Sequence, residues 1–311
     1  MSRQISESKV VPDDMGGQRI DQVAAKLFSE FSRGRLQSWI KSGELTVDGK
    51  TYKPKEKLWG GETMVIEAEL EDVNQWQPEN IELNIVYEDD DILVINKPAG
   101  LVVHPAAGHY EGTLLNGLLY HYPGIETVPR AGIVHRLDMD TTGLMVVAKT
   151  IEAQADLVDQ LQSREMGREY EAVVQGVMTG GGEVDAPIGR HPNQRLKMAV
   201  VDSGKPAVTH YRVLDRFENY THIRLKLETG RTHQIRVHMS HIGYPLVGDQ
   251  VYGGRRKVPK GASQELLDQL DVFKRQALHA KRLELIHPIT GMEMEWEVDL
   301  PQDFEQLLSS L

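Results

Sequence analysis

The chain has 311 residues, no cysteine and a formal net charge of −11. That length accommodates two domains, one with a sizeable core, and the missing thiols exclude disulfides and thiolate metal sites while fitting a reducing compartment. No apolar run approaches the roughly 20 residues of a membrane span, and Met1-Ser-Arg-Gln-Ile-Ser-Glu7 lacks the apolar core of a signal peptide, so a cytoplasmic protein is expected.

The negative total hides a segregated charge. Residues 18–60 carry nine Lys/Arg against five Asp/Glu, and residues 61–92 carry none against eleven. Such segregation gives a binding face beside an acidic, solvated one, so an anionic partner is compatible with the N-terminal part of an acidic chain.

Residues 1–15 are polar and expected to be loose. Ile20, Val23, Ala24 and Leu27 recur at helical spacing, and Ser32 stands as an N-cap before a second helix bearing Leu36, Trp39 and Ile40, which Gly43 ends. Leu45–Val47 and Met64–Ile66 read as short strands, with a turn at Asp48-Gly49. Arg33, Arg35, Lys41 and Lys50, with Lys53, Lys55 and Lys57, crowd this unit and suit phosphates. Residues 76–84, which follow an acidic stretch and include Trp76-Gln-Pro78, read as a linker.

Beyond the linker, Ile85–Gly100 reads as a hairpin with an acidic turn, where Asp89, Asp90 and Asp91 are expected to be solvated rather than metal ligands. Thr113–Tyr120 reads as a helix. Gly132-Ile-Val-His-Arg-Leu-Asp138 then leads through a polar turn into the buried strand Leu144–Ala148. An imidazole, a guanidinium and a carboxylate thus sit at the edge of a core, where sites usually lie, although the same residues also fit a surface turn with a solvated Arg–Asp pair. Ala153–Glu165 is an amphipathic helix, and Arg168–Val174 is a strand carrying Tyr170, which by itself also fits a core tyrosine with a satisfied hydroxyl.

Residues 186–212 are basic and turn-rich, and Arg190, Arg195 and Lys197 are candidates for clamping a nucleic acid. After the strand Ile223–Leu227, Thr232 caps a helix whose buried face holds Ile235, Met239 and Ile242, with Arg236 beside it. His233 and His238 diverge by about 140° on such a helix, which argues against zinc. Ser263–Phe273 is a further helix. There is no Walker-type loop and no glycine fingerprint for a dinucleotide.

Four stretches resemble one family, the RluA-type pseudouridine synthases: His135-Arg-Leu-Asp138 with Thr141-Thr-Gly-Leu144, the strand around Tyr170, Gly230-Arg-Thr-His-Gln-Ile-Arg236, and Gln276-Ala-Leu-His-Ala280. The resemblance spans roughly residues 16 to 300. Arg19-Ile-Asp21, Ser32-Arg-Gly-Arg35 and Val47-Asp-Gly-Lys50 resemble in turn the S-four RNA-binding domain.

The resemblance implies an α+β protein: a flexible start (1–15), a small S-four-type RNA-binding module (16–75), a linker (76–84), a mostly antiparallel-sheet catalytic domain with flanking helices (85–302) and a tail (303–311). It implies isomerisation of uridine to pseudouridine with the base out of the stack. Asp138 would be the catalytic carboxylate, Arg136 the group filling the vacated space, Tyr170 the platform for the base, and Arg236 the charge partner that orients Asp138. His135 would line the substrate site and Leu278 its apolar wall. The reaction needs no cofactor and no metal. The implied partner is 23S rRNA or a large-subunit precursor particle, modified in the loop of helix 69, with a monomer as the default state. The same reaction on another rRNA site or on transfer RNA, a non-catalytic RNA-binding protein, and a two-carboxylate hydrolase using Asp138 and Asp140 are the competing readings.

Overall fold

The computed structural model describes residues 3–29, 31, 33–70, 76–105, 109–194, 197–254 and 261–311. It divides into two units, Met1–Gln75 and Trp76–Leu311.

The first unit contains β1 (Arg3–Val10), α1 (Ile20–Leu27), α2 (Arg33–Ser42), β2 (Leu45–Val47) and β3 (Thr63–Leu70). The strands pair antiparallel in the order β1-β3-β2. The helical stripes read from the sequence are the buried ones: Ile20, Val23 and Ala24 of α1 and Leu36, Trp39 and Ile40 of α2 pack with Leu45, Val47, Met64 and Ile66. Each large aliphatic side chain so buried contributes about 1.5–3 kcal/mol.

The N-terminus departs from expectation. Residues 3–10 are not loose but pair with β3 along their whole length, from Arg3 opposite Leu70 to Val10 opposite Thr63. An edge strand that buries Ile5 while leaving Val10 exposed has almost no alternation to read, and the ladder with β3 supplies its order. Ser32, expected as a cap, lies outside the described residues.

The second unit begins with β4 (Ile85–Glu88), β5 (Ile92–Lys97), α3 (Leu114–His121), β6 (Thr142–Ala148), α4 (Ile151–Ser163) and β7 (Gly167–Gln175). Then come β8 (Gly182–Asp185), β9 (Ile188–Arg190), β10 (Met198–Val200), β11 (Val208–Arg216), β12 (Tyr220–Leu227) and α5 (Gln234–His241). The chain closes with α6 (Gln264–Val272), β13 (Leu278–Ile286), β14 (Glu293–Glu297) and α7 (Gln302–Ser310). Among the described residues nine strands form one sheet in the order β4-β5-β6-β13-β7-β12-β11-β8, with β14 also on β13. Only the β6–β13 ladder of that sheet is parallel.

Every residue of β6 is buried, because the sheet is covered on both faces there. Met145 and Val147 face one core with Leu93, Ile95, Leu118 and Ile133, whereas Leu144, Val146 and Ala148 face another with Leu157, Met166 and Leu283. The turn that precedes β6 is therefore anchored on both sides of the sheet.

Two further expectations are corrected. Residues 76–84 are not a free linker but a strap on the second unit. Asn116 Nδ2 donates to the Gln77 carbonyl at 2.8 Å, the Glu79 carboxylate accepts from Gly112 N, and Trp76 and Leu83 pack on the core. Residues 303–311 are not a tail, since α7 buries Phe304 and Leu307 against Val173, Tyr220 and Phe273. The turn-rich segment 186–212 is more ordered than its composition suggests, since β9 and β10 pair antiparallel, with Met198 opposite Arg190.

Candidate active site

The approach to β6 is sterically tight. Arg130 and Ala131 have φ of 56° and 49°, and Gly132 follows at 70°. A Cβ on Gly132 would overlap the carbonyl of Ala148, so the chain crosses the end of β6 where only glycine fits. Ile133 then bridges to Val147, and His135 Nε2 accepts a hydrogen bond from Val146 N at 3.1 Å. The proton of His135 therefore sits on Nδ1. Burial, together with the charge of Arg168, pushes its pKa down to about 3, so the ring is neutral.

Leu137 is buried in the core between Arg136, which is exposed, and Asp138, which is partly exposed. The Asp138 turn is fixed at several points. Thr141 N donates to the Asp138 carbonyl at 3.1 Å, and Gln276 Nε2 donates to Thr141 Oγ1 at 3.0 Å. The buried ammonium of Lys97 donates to the carbonyls of Met139 (2.8 Å), Pro98 (2.7 Å) and Leu101 (3.0 Å). Burial pulls the pKa of Lys97 down to about 7 against the opposing charges of Asp140 and Asp138. Arg275, held bidentately by Asp303 of α7 at 2.7 and 2.8 Å, reaches the Asp140 carbonyl at 3.4 Å.

From the other side, α5 presents Arg236. Its Nε and Nη2 donate to Asp249 at 2.7 and 3.0 Å, and its Nη1 donates to Asp138 Oδ2 at 2.8 Å. Burial opposes the charge on Arg236, but Asp249 and Asp138 outweigh it and hold the guanidinium above its ordinary value. Burial likewise opposes the Asp249 carboxylate, and the Arg236 fork with the N–H groups of Tyr252 and Val251 holds it below the usual range.

Thr232, expected as the cap of α5, is displaced in that role by His233, which takes a left-handed φ of 56°. The turn owes its shape to the side chain of Gln234, which accepts from Arg231 N and Thr229 Oγ1 and donates to the Val208 carbonyl and Thr209 Oγ1. His233 Nδ1 lies 2.8 Å from the Tyr252 hydroxyl, which itself accepts from Met198 N. The hydroxyl proton thus goes to Nδ1, leaving Nε2–H facing Asp138 Oδ1 at 3.9 Å. Burial lowers the pKa of His233.

These groups share a cavity of about 740 Å³, whose lining includes His135, Arg136, Asp138, Arg168, Tyr170, His233, Arg236 and Leu278. This is the size of a pocket that encloses a small ligand or one nucleoside. Tyr170 is buried on β7, and its hydroxyl has no hydrogen-bond partner among the described residues, unlike a satisfied core tyrosine. Burial raises its pKa, so the phenol stays neutral. His104 joins the wall, pushed down to about 4 by burial and by Arg130 and Arg136.

The cavity excludes some candidates. Arg190 and Lys197 lie on the β9–β10 hairpin and do not line it, while Arg195 lies outside the described residues. Asp140 does not line it either, which leaves a two-carboxylate hydrolase without its second acid. In the first unit, Arg33 is exposed but donates to the buried Asp21 at 3.2 Å, alongside the Arg19 fork at 2.9 Å and Gln37 at 2.8 Å. Lys41 and Lys50 are exposed, and Arg35 is half-buried.

Among the described residues, Asp89, Asp91 and His287 bring three potential metal ligands together. Asp89 is already engaged, accepting from the N–H groups of Asp91 and Ile92, the Tyr87 hydroxyl and His287 Nε2. It braces the hairpin turn rather than lying solvated. His238 is similarly occupied by Thr209 Oγ1 and the Ala186 carbonyl, both at 2.9 Å.

Lys97, Arg168, His233 and Asp249 were not singled out as site residues by the sequence. For Arg168 a signal existed: it stands two residues before Tyr170, and strand periodicity puts both on one face. For Asp249 there was none, since its partner is chosen by the fold.

A family model described as RNA pseudouridylate synthase matches residues 91–241. Ribosomal large subunit pseudouridine synthase D of Pseudomonas aeruginosa is 65% identical over 311 residues, covering 100% of this chain and 97% of that protein. The protein of the same name in Haemophilus influenzae is 60% identical over 309 residues, covering 99% and 95%. Among solved structures, human RNA pseudouridylate synthase domain containing 4 aligns with a TM-score of 0.57 at 28% identity, over 73% of this chain and 92% of that one. Human RNA pseudouridylate synthase domain containing 1 aligns with a TM-score of 0.54 at 28% identity, over 71% and 84%.

Proposed function

The chain belongs to the RNA pseudouridylate synthase family and is an isomerase, and from that premise we propose that it converts uridine to pseudouridine in 23S rRNA, in the loop of helix 69, on free rRNA or an assembling large subunit. The observation that carries the reading is the placement of Asp138. It is a partly exposed carboxylate on a pinned turn, oriented by Arg236 and sharing one cavity with a buried tyrosine whose hydroxyl is unengaged.

The reaction detaches the base at nitrogen 1, turns it and rejoins it through carbon 5. It leaves the composition and oxidation level of the nucleoside unchanged, one proton leaving carbon 5 and another joining nitrogen 1, so the chemistry calls for no cofactor. A nucleotide inside a helix cannot reach Asp138, so the target leaves the stack, and the exposed guanidinium of Arg136 occupies the space it vacates. Tyr170 supplies a flat face for the ring and Leu278 an apolar wall. Asp138 acts on the sugar or the ring, and Arg236 holds its orientation through the step.

The first unit positions the RNA as an S-four-type module. Its exposed lysines, Lys41 and Lys50 among them, meet phosphates without reading sequence. Cytoplasmic large-subunit assembly is the setting this reading implies. The two relatives described above carry a ribosomal large subunit name at 60–65% identity, which supports the choice of RNA.

Mapping pseudouridines in 23S rRNA from cells lacking the gene tests the reading. The helix 69 positions are expected to be unmodified, restored by the wild-type gene and not by Asp138→Asn. Restoration by Asp138→Asn, or loss at other positions only, would contradict it.

A further inference from the structure

One buried charged group in the cavity wall has no counterpart among the described residues. Arg168 is 7% exposed and lines the cavity on the same face of β7 as Tyr170. Its Nε–H is buried without any hydrogen-bond partner, and among the described residues no carboxylate, carbonyl or hydroxyl accepts from the rest of the guanidinium. The other buried arginines of the site are engaged differently, Arg236 by two carboxylates and Arg275 by Asp303.

More than nine in ten buried donors in folded proteins are paired, so a buried Nε–H without an acceptor, on a guanidinium whose other N–H groups also lack one among the described residues, marks a site awaiting one. Burial pulls the guanidinium below its ordinary value, as expected for a cation without a counter-ion. Its electrostatic neighbours are the Tyr170 phenol and the neutral His135 ring. Room for it is built in: a Cβ on Gly230 would stand 2.8 Å from Arg168 Nη1, so that glycine keeps the cavity wall open.

We propose that Arg168 is a catalytic residue that receives the negative charge developing on the uracil ring during isomerisation. The inference rests on the isomerase reading given above. When the bond between sugar carbon 1′ and base nitrogen 1 breaks, its electron pair stays with the ring, spread over nitrogen 1 and the two carbonyl oxygens. When carbon 5 later bonds to carbon 1′, the proton on carbon 5 leaves and nitrogen 1 takes one up, so atoms and electrons balance without an added oxidant or reductant. If Asp138 instead first adds to carbon 6 of the ring, the displaced pair moves to carbon 5 and the carbonyl at position 4. Either way the ring becomes anionic, and N–H donors fixed in a low-dielectric wall stabilise it.

A backbone phosphate is the weaker fit. Phosphates remain joined to the flanking nucleotides at the mouth, where Arg136 is exposed, while Arg168 lies buried beside the stacking ring.

Single-turnover tritium release from RNA labelled at uracil carbon 5, with protein in excess, tests the proposal together with RNA binding and thermal melting. Arg168→Met is expected to slow release by about 10²–10³-fold, the loss typical of removing one such donor. RNA affinity should stay within about twofold, and the melting temperature should hold or rise, because an unpaired buried charge is removed. Arg168→Lys should recover part of the rate. Arg168→Gln, which keeps N–H donors but removes the charge, should also slow release without weakening binding, and it decides the matter if Arg168→Met does not fold.

An undiminished rate in Arg168→Met, or in Arg168→Gln where that variant decides, overturns the proposal. So does a loss confined to affinity with a shallower salt dependence, which is the mark of a phosphate contact. A lower melting temperature with an unchanged single-turnover rate marks a structural brace instead. Absence of release by the wild type fails differently, because it removes the isomerase reading itself.

Discussion

Arg236 stands between two carboxylates in unlike surroundings. Asp249 is fully buried and takes the planar fork of the guanidinium, which leaves Nη1 for Asp138 on the cavity wall. A lysine keeps the charge but cannot span both acids. Arg236→Lys is therefore expected to lower single-turnover activity by about 100-fold and stability by about 3 kcal/mol, since one buried charge loses its partner. Urea unfolding and rate measurements on the variant check both numbers, and wild-type activity would contradict the role of the fork. Asp138, Arg136, Tyr170, Arg236 and Leu278 were legible because motif order marks them, and the fold gathers all five in one cavity. Asp249 was not legible. Its run Gly248-Asp-Gln-Val-Tyr252 reads only as loop, and nothing in the sequence announces the side chain it meets.

At the scale of elements, the turn that carries Asp138 is tied down by neighbouring strands and loops as well as by Arg236 of α5. Lys97, at the end of β5, ties the Met139 carbonyl beside Asp138 to the carbonyls of Pro98 and Leu101. Lys97→Met removes three charge-assisted hydrogen bonds and leaves three carbonyls needing new donors. A rate loss of about tenfold or more with unchanged RNA affinity is expected, because the turn loosens while the RNA-facing surface stays intact. The β4–β5 turn carries a pH signature. Burial opposes the Asp89 carboxylate, but Tyr87, the N–H groups of Ile92 and Asp91, and His287 hold its pKa at about 2 against an ordinary 3.8. The stabilisation is complete above the unfolded value and lost as pH falls from 3.8 through about 2, on the order of 2 kcal/mol. Urea unfolding at pH 5 and pH 2.5 should differ less in Asp89→Asn than in wild type by about that amount. The strands and helices themselves were readable wherever apolar period was strong, as in β6 and α4. The parallel pairing of β6 with β13 was not, because two apolar runs 130 residues apart carry no mark of direction.

At the scale of the whole molecule, the two ends of the chain are structural. Phe304 and Leu307 of α7 close a core with Phe273 and Tyr220, and Asp303 holds the arginine that reaches the Asp140 carbonyl. Phe304→Ala is expected to cost about 3–5 kcal/mol in urea unfolding. Ends are poorly legible in a sequence because one turn of apolar spacing carries little period, and at β1 even that is missing. The first unit folds around a core of its own, and as an RNA-positioning module its basic residues should affect binding rather than chemistry. Lys41→Glu with Lys50→Glu should weaken RNA binding and reduce the salt slope by about one per lost phosphate contact, with the saturated single-turnover rate unchanged. A changed rate at saturation would place these lysines in the chemical step.

The central claim is that Asp138, held by Arg236, isomerises uridine. Tritium release from 23S transcripts labelled at uracil carbon 5 reads that step directly, because the new carbon–carbon bond replaces the labelled hydrogen. Release by the wild-type protein and none by a folded Asp138→Asn variant is the expected result. Full release by Asp138→Asn, or binding without release by the wild type on free rRNA and on immature large-subunit particles alike, would contradict it.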